Sequence, residues 1–231
     1  MNSIFESSII IPVFNQWDFT KNCLEAIAAT THQESVEVIV VDNASSDLTP
    51  TDCPLLGEKL FGKSFRYHRN SENRNFGPAS NIGADLASGN FLVFLNNDTV
   101  PLEGWYRPLV EDFSVYSDIA ATGPILLFPD SEPLGRTVQH MGVAVTPDHN
   151  LRHLYHDIPA SCPLTKKRRF FQVITGACMM LRKSLLMDTG GFDEHYINGF
   201  EDVELCSRLS HKGYRMTVNP SATVMHYGSQ T

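Results

Sequence analysis

The first hundred residues alternate short, wholly apolar runs with amphipathic ones, and clusters of polar turn formers separate them. Ser8-Ile9-Ile10-Ile11 is the kind of run that a strand buried on both faces requires, and Pro12, which has no N–H for a ladder, closes it. Asp18 to Thr30 puts Cys23, Leu24 and Ile27 on one face at helical spacing, which predicts a helix. Val36 to Val41 repeats the buried-strand pattern and runs into Asp42-Asn43-Ala44-Ser45-Ser46-Asp47, a series of turn formers and helix caps. Phe65 to His68 predicts a third strand and Gly77 to Ala87 a helix that stops at Ser88-Gly89. Phe91 to Leu95 predicts a fourth buried strand, leading straight into Asn96-Asn97-Asp98. Strand, polar turn and helix in this order imply βαβ units, hence an α/β fold on a mostly parallel sheet.

Beyond Glu103 the pattern loosens. It predicts a helix to about Tyr116, a strand near Ala120, and a variable lobe in the Pro- and His-rich stretch from Pro124 to Pro163. Phe170 to Leu181 then reads as a strand through Val173-Ile174-Thr175 and Cys178-Met179-Met180-Leu181. A helix begins near Glu201 and ends at Lys212-Gly213, where a basic residue precedes a glycine stop. Tyr214 to Val218 and Ala222 to Met225 are expected as two short final strands.

Composition narrows the function classes. With 231 residues, 42% hydrophobic and 19% charged, the chain fits one domain with a substantial core. A formal net charge of −8 argues against a general affinity for nucleic-acid phosphates or anionic lipid. The run Lys166-Lys167-Arg168-Arg169 is the local exception, either a solvated loop or a patch that meets lipid or an anionic substrate. The five cysteines are widely spaced and include no CxxC pair, so neither a zinc site nor a disulfide framework is expected. No secretory leader pattern and no apolar run of about 18 residues is present, which implies a cytoplasmic location. Peripheral association with the inner face of the membrane is the alternative that the basic run leaves open. The sequence stops at Thr231 soon after an apolar segment, as a domain taken from a longer protein would.

In an open parallel sheet, ligands bind outside the carboxyl ends of the strands. The polar residues expected there are Asn15, then Asp42, Asn43 and Ser45, then Asn96, Asn97 and Asp98. Each could instead cap a helix or set a turn, the preferred reading for Asp47. Asp42 could accept hydrogen bonds from a base or ribose, and Asp98 could bind a hard cation that carries a diphosphate. Its neighbours Asn96 and Asn97 offer oxygens but no charge, and one carboxylate alone is a poor magnesium or manganese site. Glu201 and Asp202 point about 100° apart on a helix and so need different tasks. They are either acidic residues favoured at a helix N-terminus or, for Asp202, a general base for a hydroxyl nucleophile. His226 could complete the ligand set that Asp98 leaves short; the other eight histidines show no ligand spacing.

Together these segments resemble glycosyltransferase family 2, the inverting nucleotide-sugar transferases of GT-A fold. Ile9-Ile10-Ile11-Pro12-Val13-Phe14-Asn15 resembles the family's opening strand and turn, and Val40 to Asp47 its nucleotide-binding strand end. Asn73-Arg74-Asn75-Phe76-Gly77-Pro78-Ala79-Ser80-Asn81-Ile82-Gly83 is similar to its Asn-x-Gly-x-x-x-x-Asn-x-Gly segment. Leu95-Asn96-Asn97-Asp98-Thr99 stands where the family has Asp-x-Asp, with Asn96 replacing the leading acid. Thr175 to Arg182, followed by Gly190-Gly191-Phe192-Asp193-Glu194, is similar to the acceptor-side segment. Phe200 to Leu205 resembles the Glu-Asp catalytic motif, and His226 matches a late histidine that joins the metal site.

The resemblance implies a Rossmann-like sheet flanked by helices, with a nucleotide-binding half over 1–100 and a smaller acceptor-binding half over 101–231. It implies that Pro12, Val13, Phe14, Asn15, Asp42, Asn43, Ser45, Asn73, Phe76, Asn81, Asn96 and Asn97 hold the nucleotide, and that Asp98 and His226 hold Mn2+ or Mg2+. Asp202, with Glu201, would activate the acceptor hydroxyl. The expected partners are a dTDP- or UDP-sugar donor and a glycan or lipid-linked acceptor. The Asn-Asn-Asp-Thr form also resembles a subgroup that includes rhamnosyltransferases, which makes dTDP-rhamnose a candidate donor. A nucleotidyltransferase would need a glycine-rich, basic loop where Pro12-Val13-Phe14-Asn15 stands, and a dinucleotide oxidoreductase would need GxGxxG there. The altered Asp-x-Asp leaves open a catalytically weak nucleotide-sugar-binding module of a larger protein, against which the intact Glu201-Asp202 pair speaks.

Overall fold

The computed structural model describes residues 5–31, 35–129, 136–148, 150–197 and 199–228. The opening half follows the expected alternation: β1 (Ser7–Val13), α1 (Trp17–Thr30), β2 (Val36–Asp42), α2 (Thr49–Phe61), β3 (Phe65–Arg69), α3 (Phe76–Leu86) and β4 (Phe91–Leu95). Helix α2 had no counterpart in the sequence reading, because Pro50, Pro54 and Gly57 mask its periodicity. Pro50 in the first turn costs no intrahelical hydrogen bond, and burial of Cys53, Gly57 and Phe61 on the inner face outweighs the one that Pro54 removes inside the helix.

The second half contains β5 (Thr99–Pro101), α4 (Arg107–Val115), β6 (Ile119–Leu127), β7 (Val138–His140), β8 (Val143–Val145), β9 (Leu151–His153), β10 (Arg169–Phe171), β11 (Cys178–Arg182), α5 (Lys183–Thr189), α6 (Glu201–His211) and β12 (Arg215–His226). Ten strands form one sheet along the path β10-β12-β6-β11-β4-β1-β2-β3, with β5 paired to β12 and β7 to β6. β1, β2, β3, β4, β6 and β12 run in one direction, and β11 enters antiparallel between β4 and β6. The sheet is therefore mostly parallel, as expected.

Alternation along β1 explains the layers. Ile10 faces one core with Ala79, Ala84, Leu205 and Leu209 from α3 and α6. Ile9, Ile11 and Val13 face the other core with Cys23, Leu24, Ile27, Cys53 and Leu109 from α1, α2 and α4. Each fully buried aliphatic side chain here contributes about 1.5–3 kcal/mol. A Cβ on Gly83 would lie 2.3 Å from Ile10 Cγ2, so a glycine lets α3 settle onto the strand that opens the site.

Three expectations need correction. Val173 makes only an isolated bridge to Val143, and Ile174 to Ala177 is a loop before β11 rather than strand, with the N–H groups of Thr175, Gly176 and Ala177 taken up by side chains and not by a ladder. The two expected final strands are one, β12, whose register against β6 shifts between Asn219 and Thr223 around Pro220. The lobe expected from Pro124 begins inside β6 and contributes β7, β8 and β9, while residues 130–135 and 149 lie outside the described residues. Among the described residues no helix is long and apolar enough to cross a membrane.

Candidate active site

The parallel strands β1, β2 and β4 deliver their carboxyl ends to one side of the sheet, where a cleft of about 330 Å3 opens. Its floor comes from Pro12, Val13 and Phe14 after β1, Asn43 after β2, and Asn96 and Asn97 after β4. Asn73, Asn75 and Phe76 form one wall at the start of α3, and Thr175, Gly176 and Ala177 form another. Gly199, Phe200, Glu201 and Asp202 close the remaining side, with His226 from the end of β12. Asn75 is a lining residue that the sequence did not mark as a contact, whereas Thr175 to Ala177 belong to the segment expected to line the site.

Several expected contact residues fix the floor through bonds to one another. Asp42 is fully buried: Oδ1 accepts Ser45 N at 2.8 Å and Oδ2 accepts the Tyr67 hydroxyl at 2.5 Å, with Arg69 Nε at 3.8 Å. Burial and that bond push the Tyr67 hydroxyl above the ordinary tyrosine range. Ser45 Oγ accepts Asn15 N at 2.7 Å, and Asn15, left-handed at φ 57°, accepts Ser46 N through Oδ1. Asp42, Ser45 and Asn15 thus lock the two turns together and lie outside the cleft lining. Asp47 has the expected capping role, accepting Trp17 N and Thr49 N at the starts of α1 and α2.

Asn81 also lies away from the cleft. Its amide accepts Phe192 N at 2.8 Å and donates to Phe192 O at 2.9 Å, tying α3 to the loop after α5. Phe76, by contrast, reaches the cleft and packs edge-on against Phe192 with ring centroids 5.6 Å apart.

A carboxylate–imidazole pair and a pair of adjacent carboxylates meet at this cleft. Antiparallel pairing of β5 with β12 sets Thr99 opposite His226 and brings His226 Nε2 to 3.2 Å from Asp98 Oδ1. Asp98 is 1% exposed, and neither its two carboxylate oxygens nor His226 Nε2 has a hydrogen-bond partner. Orphaned buried polar atoms are rare, and an oxygen and imidazole set facing one another fits a divalent cation. The residues present therefore fit a metal, though no group of three His, Cys, Asp or Glu gathers among the described residues. The rest of a coordination shell would have to come from water and ligand oxygens.

The second pair sits at the start of α6. Asp202 Oδ2 accepts Gly176 N at 2.8 Å and Oδ1 accepts Val203 N at 2.8 Å. Glu201 Oε2 accepts Gly199 N at 2.8 Å, whereas its buried Oε1 has no partner. Phe200, just before them, is held at φ 72° and is 61% exposed at the cleft rim. No lysine or arginine lines the cleft among the described residues. Of the basic run, Arg168 pairs with buried Asp112 and Arg169 lies over the Tyr155 ring, which leaves Lys166 and Lys167 exposed.

His140 supports the Thr175 to Ala177 wall. Its Nε2 accepts Gly142 N at 3.1 Å and Thr175 N at 3.3 Å, and its Nδ1 lies 3.1 Å from His153 Nδ1. Burial first, then the neighbouring His153 and His226, push its pKa down to about 3, so it is neutral.

The sequence pattern described as glycosyl transferase family 2 matches residues 8–190, from β1 through α5, and takes in Asp42 and Asp98. The chain belongs to glycosyl transferase family 2. A second pattern, the N-terminal domain of galactosyltransferase, matches residues 158–228 and so takes in Glu201, Asp202 and His226. The family member is 30% identical over 228 residues to the O-antigen biosynthesis protein RfbC of Myxococcus xanthus, covering 96% of this chain and 17% of that protein. It is 26% identical over 208 residues to the N-acetylglucosaminyl-diphospho-decaprenol L-rhamnosyltransferase of Mycobacterium tuberculosis, covering 84% of this chain and 67% of that one. The chain spans less than half the length of the first relatives, at 17%, 24% and 42%. In fold it is similar to GalNAc-T7 crystallised with UDP, GalNAc and Mn2+, at TM-score 0.79 and 17% identity over 98% of this chain and 44% of that one. It is also similar to the mannosyltransferase PcManGT of Pyrobaculum calidifontis in complex with GDP-Man and Mn2+, at TM-score 0.69 and 18% identity over 97% of this chain and 57% of that one. The fold of this family 2 domain is GT-A.

Proposed function

We propose that this domain moves a sugar from a nucleoside-diphosphate sugar to an acceptor hydroxyl by direct displacement, with inversion at the anomeric carbon. The observation that carries the reading is the meeting of Asp98–His226 and Glu201–Asp202 at one cleft. The donor lies against the 1–100 half, with Asn43, Asn73 and Phe76 beside the nucleotide and the Pro12 to Phe14 turn beneath it. The acceptor enters over the 101–231 half, past Phe200 and the Thr175 to Ala177 wall.

A diphosphate brought among carboxylates, with no lysine or arginine on the lining, requires an added positive charge. Asp98 and His226 would hold that charge as Mn2+ or Mg2+, which when bound neutralises the leaving diphosphate. Asp202, aimed by two backbone N–H groups, keeps a free lone pair on each oxygen and takes the proton of the attacking hydroxyl. Glu201 Oε1 is buried and unpartnered, and a substrate hydroxyl satisfies it. The names of the relatives support a role in polysaccharide or glycoconjugate synthesis, with a dTDP- or UDP-linked hexose or deoxyhexose and a glycan or lipid-linked acceptor. Lys166 and Lys167 would favour an anionic membrane surface over free solution.

Thermal-shift titration with UDP, GDP and dTDP, each with and without Mn2+, selects the nucleotide, because a ligand of the native state alone raises the melting temperature. With that donor, Asp202→Asn should lower kcat by a factor on the order of 100 or more while leaving donor affinity intact. Turnover equal to that of the native protein would refute the assignment of the base. A loss of donor affinity in step with kcat would refute the division of labour between the two pairs.

A further inference from the structure

Gln139 is the middle residue of β7, inside the stretch from Pro124 to Pro163, and the sequence gives no signal for it. β7 pairs with β6, with His140 opposite Leu126 and Val138 opposite Leu127, which carries Gln139 to the end of β12. Its side-chain amide makes two hydrogen bonds there, both to His226. Nε2 donates to the His226 backbone oxygen at 3.1 Å, and Oε1 lies 2.6 Å from His226 Nδ1.

These two bonds are not independent. A backbone carbonyl only accepts, so the Gln139 NH2 must face it, and the amide can adopt one orientation. That orientation presents Oε1, also only an acceptor, to the imidazole. Nδ1 must then carry a proton and donate it. A neutral imidazole with Nδ1–H has its lone pair on Nε2, which is the atom 3.2 Å from Asp98 Oδ1 and otherwise without a partner. A backbone oxygen thus sets an amide and the amide sets Nδ1–H, which in the neutral ring frees Nε2 toward the carboxylate.

We propose that Gln139 is a positioning residue that locks His226 in its Nδ1–H tautomer and so makes Nε2 available, beside Asp98, to a divalent cation. The inference rests on the reading of Asp98 and His226 as the metal pair. Ligating histidines commonly donate their second ring N–H to a fixed acceptor, and loss of that acceptor typically weakens metal binding by about 10–100-fold. With only two protein ligands gathered, the orientation of each weighs more than in a closed four-ligand site.

The test uses the full chain and Mn2+ as the probe, in the presence of UDP and without turnover. Free Mn2+ is counted by electron paramagnetic resonance, and the His226 ring nitrogens are assigned by 15N NMR in metal-free protein. Gln139→Leu removes both bonds, whereas Gln139→Glu keeps an acceptor for Nδ1–H; thermal unfolding verifies that each variant is folded. The native protein should show Nδ1–H, and Gln139→Leu should lose that single tautomer and bind Mn2+ about 10–100-fold more weakly. Gln139→Glu should stay within a few-fold of the native affinity. Affinity in Gln139→Leu equal to the native value, or an Nε2–H or doubly protonated ring in the native protein, would overturn the inference. Asp98→Ala separates the two claims. If native protein and Asp98→Ala bind Mn2+ equally, the metal pair itself is wrong and the role of Gln139 falls with it; if only Asp98→Ala loses binding while Gln139→Leu keeps it, Gln139 alone is wrong.

Discussion

Lowering the pH from 7 to 5 should destabilise this domain through His140 by an amount the structure fixes. Its Nε2 accepts two backbone N–H groups and its Nδ1 proton faces His153 Nδ1, so the folded state has no place for a second proton. Burial holds the folded pKa near 3, against 6.5 for the exposed side chain, so the unfolded chain binds the extra proton between those values. Folding is then fully favoured above pH 6.5, and stability falls as the pH drops toward 3. At pH 5 the linkage amounts to about 2 kcal/mol and at pH 7 to about 0.2 kcal/mol, and the difference barely changes if the folded pKa is one unit higher. Because carboxylates titrate in the same range, the assay compares urea unfolding of the native protein with His140→Gln, whose amide can still accept at the Nε2 position. The gap in stability between the two proteins should shift by about 2 kcal/mol from pH 7 to pH 5, with the native protein losing more. A shift below about 0.5 kcal/mol would refute the neutral, doubly accepting His140. Since His140 holds Thr175 N, one residue from the Gly176 N that Asp202 accepts, the same acid loss should loosen the Thr175 to Ala177 wall before global unfolding.

Two further outcomes follow from the geometry. Asp98→Asn removes a buried charge whose oxygens lack hydrogen bonds, so the metal-free protein should gain roughly 1–3 kcal/mol in chemical denaturation while Mn2+-dependent UDP binding disappears in calorimetry. A less stable Asp98→Asn would instead mean that Asp98 pairs with a protonated His226. Gly191→Ala should cost roughly 1–3 kcal/mol, because φ is +77° and the new Cβ would lie 2.5 Å from Asn81 Oδ1; an unchanged melting temperature would argue against the tether between α3 and the loop after α5.

What the sequence determined by itself is local and repetitive. The runs at Ile9 to Ile11, Val36 to Val41 and Phe91 to Leu95 specify strands because they are short, rich in β-branched or aromatic residues and followed by turn formers. The turn residues after them specify where the ligand edge lies, and the order of the motifs identified the family. Where proline and glycine interrupted the pattern, as in α2 and around Pro220, local propensity misled and burial of the inner face prevailed.

The tertiary structure alone decided which of those polar residues face the cleft. Asn15, Asp42 and Ser45 sit at the ligand edge in sequence terms, yet hydrogen bonds to one another and to Tyr67 turn them into its frame. Asn81 was drawn to the loop at Phe192, 111 positions away. Asp98 gained its histidine only because β5 and β12 pair, and that histidine gained Gln139 only because β7 adds to β6. Such partnerships join residues of high sequence separation through sheet register, and register is settled by the packing of the whole sheet, not by any single segment.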